Sequence, residues 1–206
     1  MGAGGSRFES EHPDQRKERL KIYLMRHGSF ENPDRIFPGH AAGYHLTDLG
    51  KKQVLKTAKL LEHAGIRKIY CSPIERTIET AKILAEKLGL NKNAIIVDPA
   101  LIEINLPKLA GKPMTEFNVS AYAKDNLSRE NGESMEDAGK RILEVLKKIV
   151  KEDKNALVVS HSDPIIGAVA LIKSDRSANK RGLIDKGCFF IIDTAQKPWE
   201  VKYVRV

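Results

Sequence analysis

A four-residue apolar run, Ile22-Tyr23-Leu24-Met25, stops at Arg26-His27-Gly28. The same design returns far downstream, where Ala156-Leu157-Val158-Val159 stops at Ser160-His161-Ser162. Apolar runs of this length bounded by polar groups read as strands buried on both faces, the pattern of a parallel sheet covered by helices. The intervening sequence alternates in the same sense. Thr47 stands as an N-cap before Leu49, Val54, Ala58 and Leu61 at helical spacing, with Gly65 closing that helix. Lys68-Ile69-Tyr70-Cys71-Ser72 reads as a short strand, Pro73 opens a helix running to Gly89, and Ala94-Ile95-Ile96-Val97 is a third strand. Strand, helix, strand, helix, strand at this pitch predicts an α/β fold: a three-layer αβα sandwich with a mainly parallel central sheet and helices on both faces. Ligands of such sheets bind at the carboxyl ends of the strands, where both histidines fall.

The remaining sequence completes this plan. Residues 1–19 are polar, glycine-rich and charged without periodicity and read as a tail, leaving 20–206 as a single catalytic domain of ordinary size. Pro99, Pro107 and Pro113 break up a stretch at about 98–131, a lid-like insertion. A helix is expected from about 134 to 150, Pro164 begins a helix of small residues, and Cys188 to Ile192 and Val201 to Val206 close as strands.

Composition narrows the function classes. Lys and Arg number 35 against 27 Asp and Glu, a net charge of +8. Such a balance suits anionic partners, but the cations are scattered over helical stretches, and neither a zinc-finger spacing nor an aromatic stacking signature is present, so nucleic acid is not expected. No apolar run approaches the ~20 residues of a membrane span, so no membrane partner is expected. Cys71 and Cys188 form neither a metal spacing nor a disulfide framework, and nothing near the start resembles a signal peptide, which points to the cytoplasm. Met1-Gly2-Ala3-Gly4-Gly5-Ser6 matches the N-myristoylation pattern, one that glycine-rich starts also meet by chance.

Metal-free phosphoryl transfer needs cations for the phosphate oxygens, an in-line nucleophile, and an acid for the leaving group. Arg26 can fork two donors onto phosphate oxygens, and Arg76 lies in the first helical turn after the second strand. Two histidines without a third ligand, flanked by arginines that repel a cation, predict no metal; no other cofactor is expected.

Arg26-His27-Gly28, Leu46-Thr47-Asp48-Leu49-Gly50-x-x-Gln53, Ser72-Pro73-x-x-Arg76-x-x-x-Thr80-Ala81, Gly132-Glu133-Ser134 and Val159-Ser160-His161 stand in an order that resembles the histidine phosphatase superfamily, which includes the cofactor-dependent phosphoglycerate mutases. The resemblance implies a phosphoglycerate mutase-like fold and a nucleophile, His27, that is transiently phosphorylated. It further implies a phosphate pocket of Arg26, Arg76 and His161, with His161 donating to the transferring group. Glu103 falls where the family places its general acid, on a mobile segment after the third strand; Glu116, Glu133 and Asp163 are competing carboxylates, Glu133 reading rather as a cap of the helix it opens. Asn32 and Gly39 fall in the loop where the family adds phosphate contacts, although the spacing from His27 to Asn32 is one residue short of the common pattern.

One phosphohistidine serves two outcomes: transfer to water makes a phosphatase, transfer to a bound phospho-acid a mutase. Mutases of the family carry a Glu-Arg-His-Tyr-Gly-like segment after the acid, whereas Glu103 here is followed by Ile104-Asn105-Leu106-Pro107, with Lys108 the nearest cation. That departure favours a metal-independent phosphatase acting on a small phosphorylated substrate or a phosphoprotein, with Leu106, Leu109, Met114 and Phe117 as an apolar lid lining. The alternatives are a phosphoglycerate mutase and a non-catalytic phosphate-binding regulatory module; a homo-oligomer is compatible with the sequence.

Overall fold

A computed structural model describes residues 20–116, 132–152, 154–175 and 184–206. The N-terminal tail with its myristoylation pattern, Phe117 and the rest of the insertion to residue 131 lie outside the described residues. In chain order the elements are β1 (Lys21–Arg26), α1 (Asp48–Leu60), β2 (Lys68–Cys71), α2 (Glu75–Lys87), β3 (Ile95–Val97), α3 (Met135–Lys151), β4 (Ala156–Ser160), α4 (Ser162–Lys173), β5 (Phe189–Asp193) and β6 (Glu200–Val204). The sheet order is β3-β2-β4-β1-β5-β6. Pairings from β3 through β1 are parallel, while β5 and β6 add an antiparallel edge.

Alternation along the strands builds the layers. On β1, Ile22 and Leu24 face a core shared with Val158, Phe190, Ile142, Leu146, Ile149, Ile165 and Val169, beneath α3 and α4. Tyr23 and Met25 point the other way, into a core with Ile69, Leu157, Val54, Ala58, Ala81 and Leu84 beneath α1 and α2. A strand buried on both faces therefore carries no polar side chain until it leaves the sheet, which is why Arg26 and His27 come where they do. Each fully buried aliphatic side chain contributes about 1.5–3 kcal/mol.

Several boundaries differ from the pattern reading, each for a local reason. Helix α1 ends at Leu60 with Leu61 as its C-cap, and Gly65 (φ +63°) serves the turn beyond it. Helix α2 starts at Glu75, because Ser72 Oγ accepts from Ile74 N and Thr77 Oγ1 binds the carbonyls of Ser72 and Ile74, tying Pro73 into the turn. Helix α4 begins ahead of Pro164, at Ser162 directly after β4; proline is tolerated in a first turn, whose N–H groups lack intrahelical acceptors.

The described part of the insertion is tied down. Phe37 N donates to Lys112 O and Gly111 N to Phe37 O, Ile36 pairs with Pro113, and Phe37, Ile104, Leu106 and Ala138 share a small core with Leu109. Of the expected lid lining, Leu106 is buried and Leu109 half-buried, whereas Met114 is exposed.

Helices α3 and α4 touch backbone to backbone. A Cβ on Gly167 would lie 2.1 Å from Met135 O, and one on Gly139 would lie 2.3 Å from the Gly167 carbonyl carbon. Gly167→Ala is expected to destabilise the fold by about 2–3 kcal/mol through this overlap, read as a lower urea midpoint. An unchanged midpoint would contradict the contact.

Candidate active site

Register brings the two histidines together. β1 and β4 run parallel with Arg26 opposite Ser160, and His27 N donates to Ser160 O, so the next residues of each strand, His27 and His161, leave the sheet side by side. Neighbouring strands lie roughly 4.8 Å apart; the two imidazole centroids are 5.2 Å apart, edge to face. Strand β2 borders β4 on its other side, where Ser72 N donates to Val159 O and Ser72 Oγ comes within 2.9 Å of His161 Nε2.

The flanking motif residues hold the His27 loop in place. Gly28 N donates to Thr80 Oγ1, and Thr80 Oγ1 in turn donates to Arg76 O, clasping α2 to the loop. Ser29 N donates to Gln53 Oε1, Ser29 O accepts from Thr47 N, and Thr47 Oγ1 caps α1 through Gly50 N. A Cβ on Gly50 would come within 1.9 Å of Ser29 O, so this crossing of loop and helix needs glycine.

His27 is buried, and its Nδ1 lies 2.7 Å from Gly28 O. A carbonyl only accepts, so Nδ1 carries the proton and Nε2 keeps its lone pair. Burial, then Arg76, Arg26 and Lys186, push the pKa of His27 well below its usual 6.5. The ring is thus neutral at neutral pH, the form a nucleophile needs.

Arg26 donates from Nη1 to Ile184 O at 2.6 Å. Arg76 is buried, donating from Nη2 to Gly39 O and to His161 Nδ1, 3.2 Å away. Burial lowers both guanidinium pKa values. Arg26 Nε and both Nε and Nη1 of Arg76 are buried with no hydrogen-bond partner among the described residues. Glu79 is not a partner of Arg76, since it takes His45 Nδ1 and Leu46 N instead.

His161 also lies fully buried in the cluster. Because a guanidinium only donates, Nδ1 accepts from Arg76 and the ring's proton sits on Nε2, turned to Ser72. Burial and then Arg76 keep its pKa well below the ordinary value. The resemblance implied a donor aimed at phosphate; here that N–H is spent on Ser72.

Glu103 Oε2 lies 3.6 Å from His161 Nδ1, and its Oε1 accepts from Ile104 N. Burial and then the Asp163 charge push this carboxyl up to about 7, against the opposing pull of Arg76 and Arg26. Its segment is anchored by hydrogen bonds from α3. Arg141 donates from Nη1 to the carbonyls of Ala100 and Ile102, while Nε and Nη2 fork onto Glu133. Glu133 also accepts from Asn105 N, and Ser134 is the N-cap of α3, so Glu133 serves this clamp instead of capping the helix. Asn32 turns both ends of its amide to the backbone of Ile36, which assigns it to holding its own loop.

Sequence reasoning missed Arg141, Phe30 and Lys186. Phe30 puts its ring 5.4 Å from that of His27, 5.0 Å from Arg76 Cζ and 3.9 Å from Lys186 Nζ. Nothing in an isolated Phe or Lys signals such a meeting, whereas the Glu133–Arg141 spacing of two helical turns was a readable hint. Among the described residues no group of three or more His, Cys, Asp or Glu side chains is arranged to hold a metal ion. Both cysteines are free and buried, and burial raises the Cys71 thiol to about 11. No helix among the described residues is long and apolar enough to cross a membrane.

The profile of the histidine phosphatase superfamily (branch 1) matches residues 22–206. The chain belongs to that superfamily. It is 32% identical over 155 residues to the 2,3-bisphosphoglycerate-dependent phosphoglycerate mutase of Thermoplasma acidophilum, covering 71% of this chain and 73% of that one. Among solved structures, Bacillus stearothermophilus YhfR is 25% identical, with a TM-score of 0.75 over 89% of this chain and 96% of that one. Mycobacterial glucosyl-3-phosphoglycerate phosphatase, at 19% identity, shares the fold with a TM-score of 0.74, covering 89% of this chain and 97% of that one. Phosphatases and mutases both stand among the superfamily's members.

Arg141→Ala is expected to lower kcat on an alkyl phosphomonoester roughly ten- to a hundredfold by letting Glu103 drift, while inhibition by inorganic phosphate stays as in the unaltered protein. Equal loss of phosphate binding would show that the clamp acts on the whole site.

Proposed function

We propose that this protein is a metal-independent phosphatase that hydrolyses a phosphomonoester through a phosphohistidine on His27. The observation that carries the reading is the set of buried, unpartnered N–H groups of Arg26 and Arg76 beside a neutral imidazole. Buried donors without acceptors are costly, and a phosphate dianion supplies the acceptors and the opposite charge.

In this reading Nε2 of His27 attacks phosphorus and the bond to the leaving oxygen breaks. That oxygen keeps the electron pair and takes the proton of Glu103. Water then attacks the phosphohistidine and gives its proton to the Glu103 carboxylate. The P–N electron pair returns to Nε2, and inorganic phosphate leaves. Arg26 and Arg76 neutralise the oxygens throughout. The arriving dianion also offsets the Arg76 charge that, after burial, holds the His161 pKa down.

The neighbouring cavity favours water over a phospho-acid as acceptor. It measures about 490 Å³ and lies between the loop of Ile36, Gly39 and Tyr44 and the segment of Ile104, Leu106 and Ala110. It adjoins the cluster, since Gly39 O accepts from Arg76 and His40 Nε2 meets Glu103 O at 2.7 Å. Among the described residues His40 and Tyr44 are its titratable groups and no Lys or Arg lines it. From those residues a carboxylate or second phosphate would receive no cation. The second reading, a phosphoglycerate mutase, draws on the Thermoplasma acidophilum relative that bears that name.

With chelator present, the protein is expected to release phosphate from an aryl and an alkyl phosphomonoester, to show little isomerisation of 3-phosphoglycerate, and to lose turnover with His27→Ala. Dominant isomerisation would establish the mutase. Phosphate binding without turnover of any ester would establish a binding module.

A further prediction concerns pH. Attack needs neutral His27, available down to acid pH, and protonated Glu103, which is lost as pH rises through about 7. Activity on the alkyl ester should therefore fall above neutrality. Glu103→Gln should cost about 10²–10⁴-fold in kcat and remove that fall from kcat measured at saturating substrate. A Gln variant keeping the same alkaline fall would mean that another carboxylate is the acid.

A further inference from the structure

Lys186 is held beside the cluster by backbone, not by chance of rotamer alone. Gly187 N lies 3.2 Å from the carbonyl oxygens of both Arg26 and His27, and Thr57 Oγ1 donates to Gly187 O at 2.7 Å. Gly187 has φ +81° and a Cβ there would meet Gln53 at 2.9 Å, so the turn that delivers Lys186 needs glycine. On the N-terminal side Ile184 O accepts from Arg26, and Asp185 is drawn away to Arg205, with Arg205 Nη2 2.6 Å from its Oδ2. The half-buried Lys186 ammonium then stands 3.9 Å from the centroid of the Phe30 ring, which also borders Arg76 and His27. Among the described residues it makes no hydrogen bond or ion pair.

An ammonium that shares the Phe30 ring with Arg76 and feels the charges of Arg76 and Arg26, with its neighbouring carboxylate engaged elsewhere, is electrostatically unfavourable unless an anion shares the space. From this geometry we infer that Lys186 is a substrate-binding residue: it reaches across the face of Phe30 to an oxygen of the phosphoryl group, as a third cation beside Arg26 and Arg76. The inference rests on the phosphatase reading above and deepens it, because three fixed cations select the dianion of a phosphomonoester over the monoanion of a diester. The flexible four-carbon stem and three donors of lysine suit an oxygen whose position shifts as phosphorus moves from ester to His27.

Titration gives the site a readable signature. Burial, then Arg26 from β1 and Arg76 from α2, push Lys186 down to about 8. Among the described residues the other charged or titratable groups about it are His27, kept neutral, and Asp185, engaged by Arg205. A group protonated below about 8 contributes its anion contact there and loses it as pH rises beyond that value.

The test uses inorganic phosphate as the probe, its dissociation constant measured by calorimetry, together with kcat and KM on p-nitrophenyl phosphate for the unaltered protein, Lys186→Met and Lys186→Arg. Met keeps the stem on Phe30 and removes the charge. The expected result is phosphate binding weakened about ten- to a hundredfold by Met, the range of one charge-assisted hydrogen bond, with a raised KM and largely restored values in Lys186→Arg. Between pH 7 and 9 the affinity of the unaltered protein should converge on that of the Met variant. Phosphate binding and KM unaffected by Met would overturn the inference while leaving the phosphatase reading intact. An unaltered protein that neither binds phosphate nor turns over ester would overturn both.

Discussion

The parallel pairing of β1 with β4, in the register that sets Arg26 opposite Ser160, is the constraint on which the rest of the site depends. It makes His27 and His161 equivalent positions on adjacent strands and leaves their rings 5.2 Å apart. A shift by one residue would turn every side chain of β1 to the opposite face and bury Arg26 in an aliphatic core. Because both cores are filled by β1, the cost of such a slip is the loss of both. The position of the site is thus fixed by the same burial that stabilises the sheet.

Burial then sets the chemistry. Arg26, Arg76 and Lys186 stand beside two buried imidazoles; burial, reinforced by the arginine charges, keeps both imidazoles neutral, while desolvation holds Glu103 near 7. One environment therefore produces a base without a proton and an acid with one, opposite protonation states that a phosphoryl-transfer cycle needs at the same pH. The same charges favour an entering dianion, since Arg26 and Arg76 keep buried donors that have no partner among the described residues. Positioning is delegated outward: Thr80 and Gln53 hold the His27 loop, and Arg141 holds the Glu103 segment.

Much of this was legible in the sequence, where strand runs ending in Arg26-His27-Gly28 and Ser160-His161-Ser162 specify both the sheet and the edge that carries the cluster. Thr47 announced its helix because capping is a local interaction. What stayed hidden depends on contacts between distant segments. Asp185-Lys186-Gly187 reads as an ordinary turn until β5 pairs with β1 and lays that turn on the backbone of His27. Proline-broken sequence around Glu103 suggests mobility, since the anchoring guanidinium of Arg141 sits on a helix some forty residues away. Asn32, a polar residue in a phosphate-side loop, bonds through its amide to the backbone of that same loop, a partnership that composition alone does not signal.

The central claim is that His27 Nε2 becomes covalently phosphorylated. The most direct measurement is mass spectrometry of the protein quenched in alkali during turnover of a phosphomonoester, with peptide sequencing of the modified site. The account predicts an acid-labile phosphoryl group on His27, absent from His27→Ala and, with an aryl ester whose leaving group needs no proton, enriched when Glu103→Gln slows hydrolysis. Turnover without any phosphorylated protein, or a phosphoryl group on another residue that persists in His27→Ala, would contradict it.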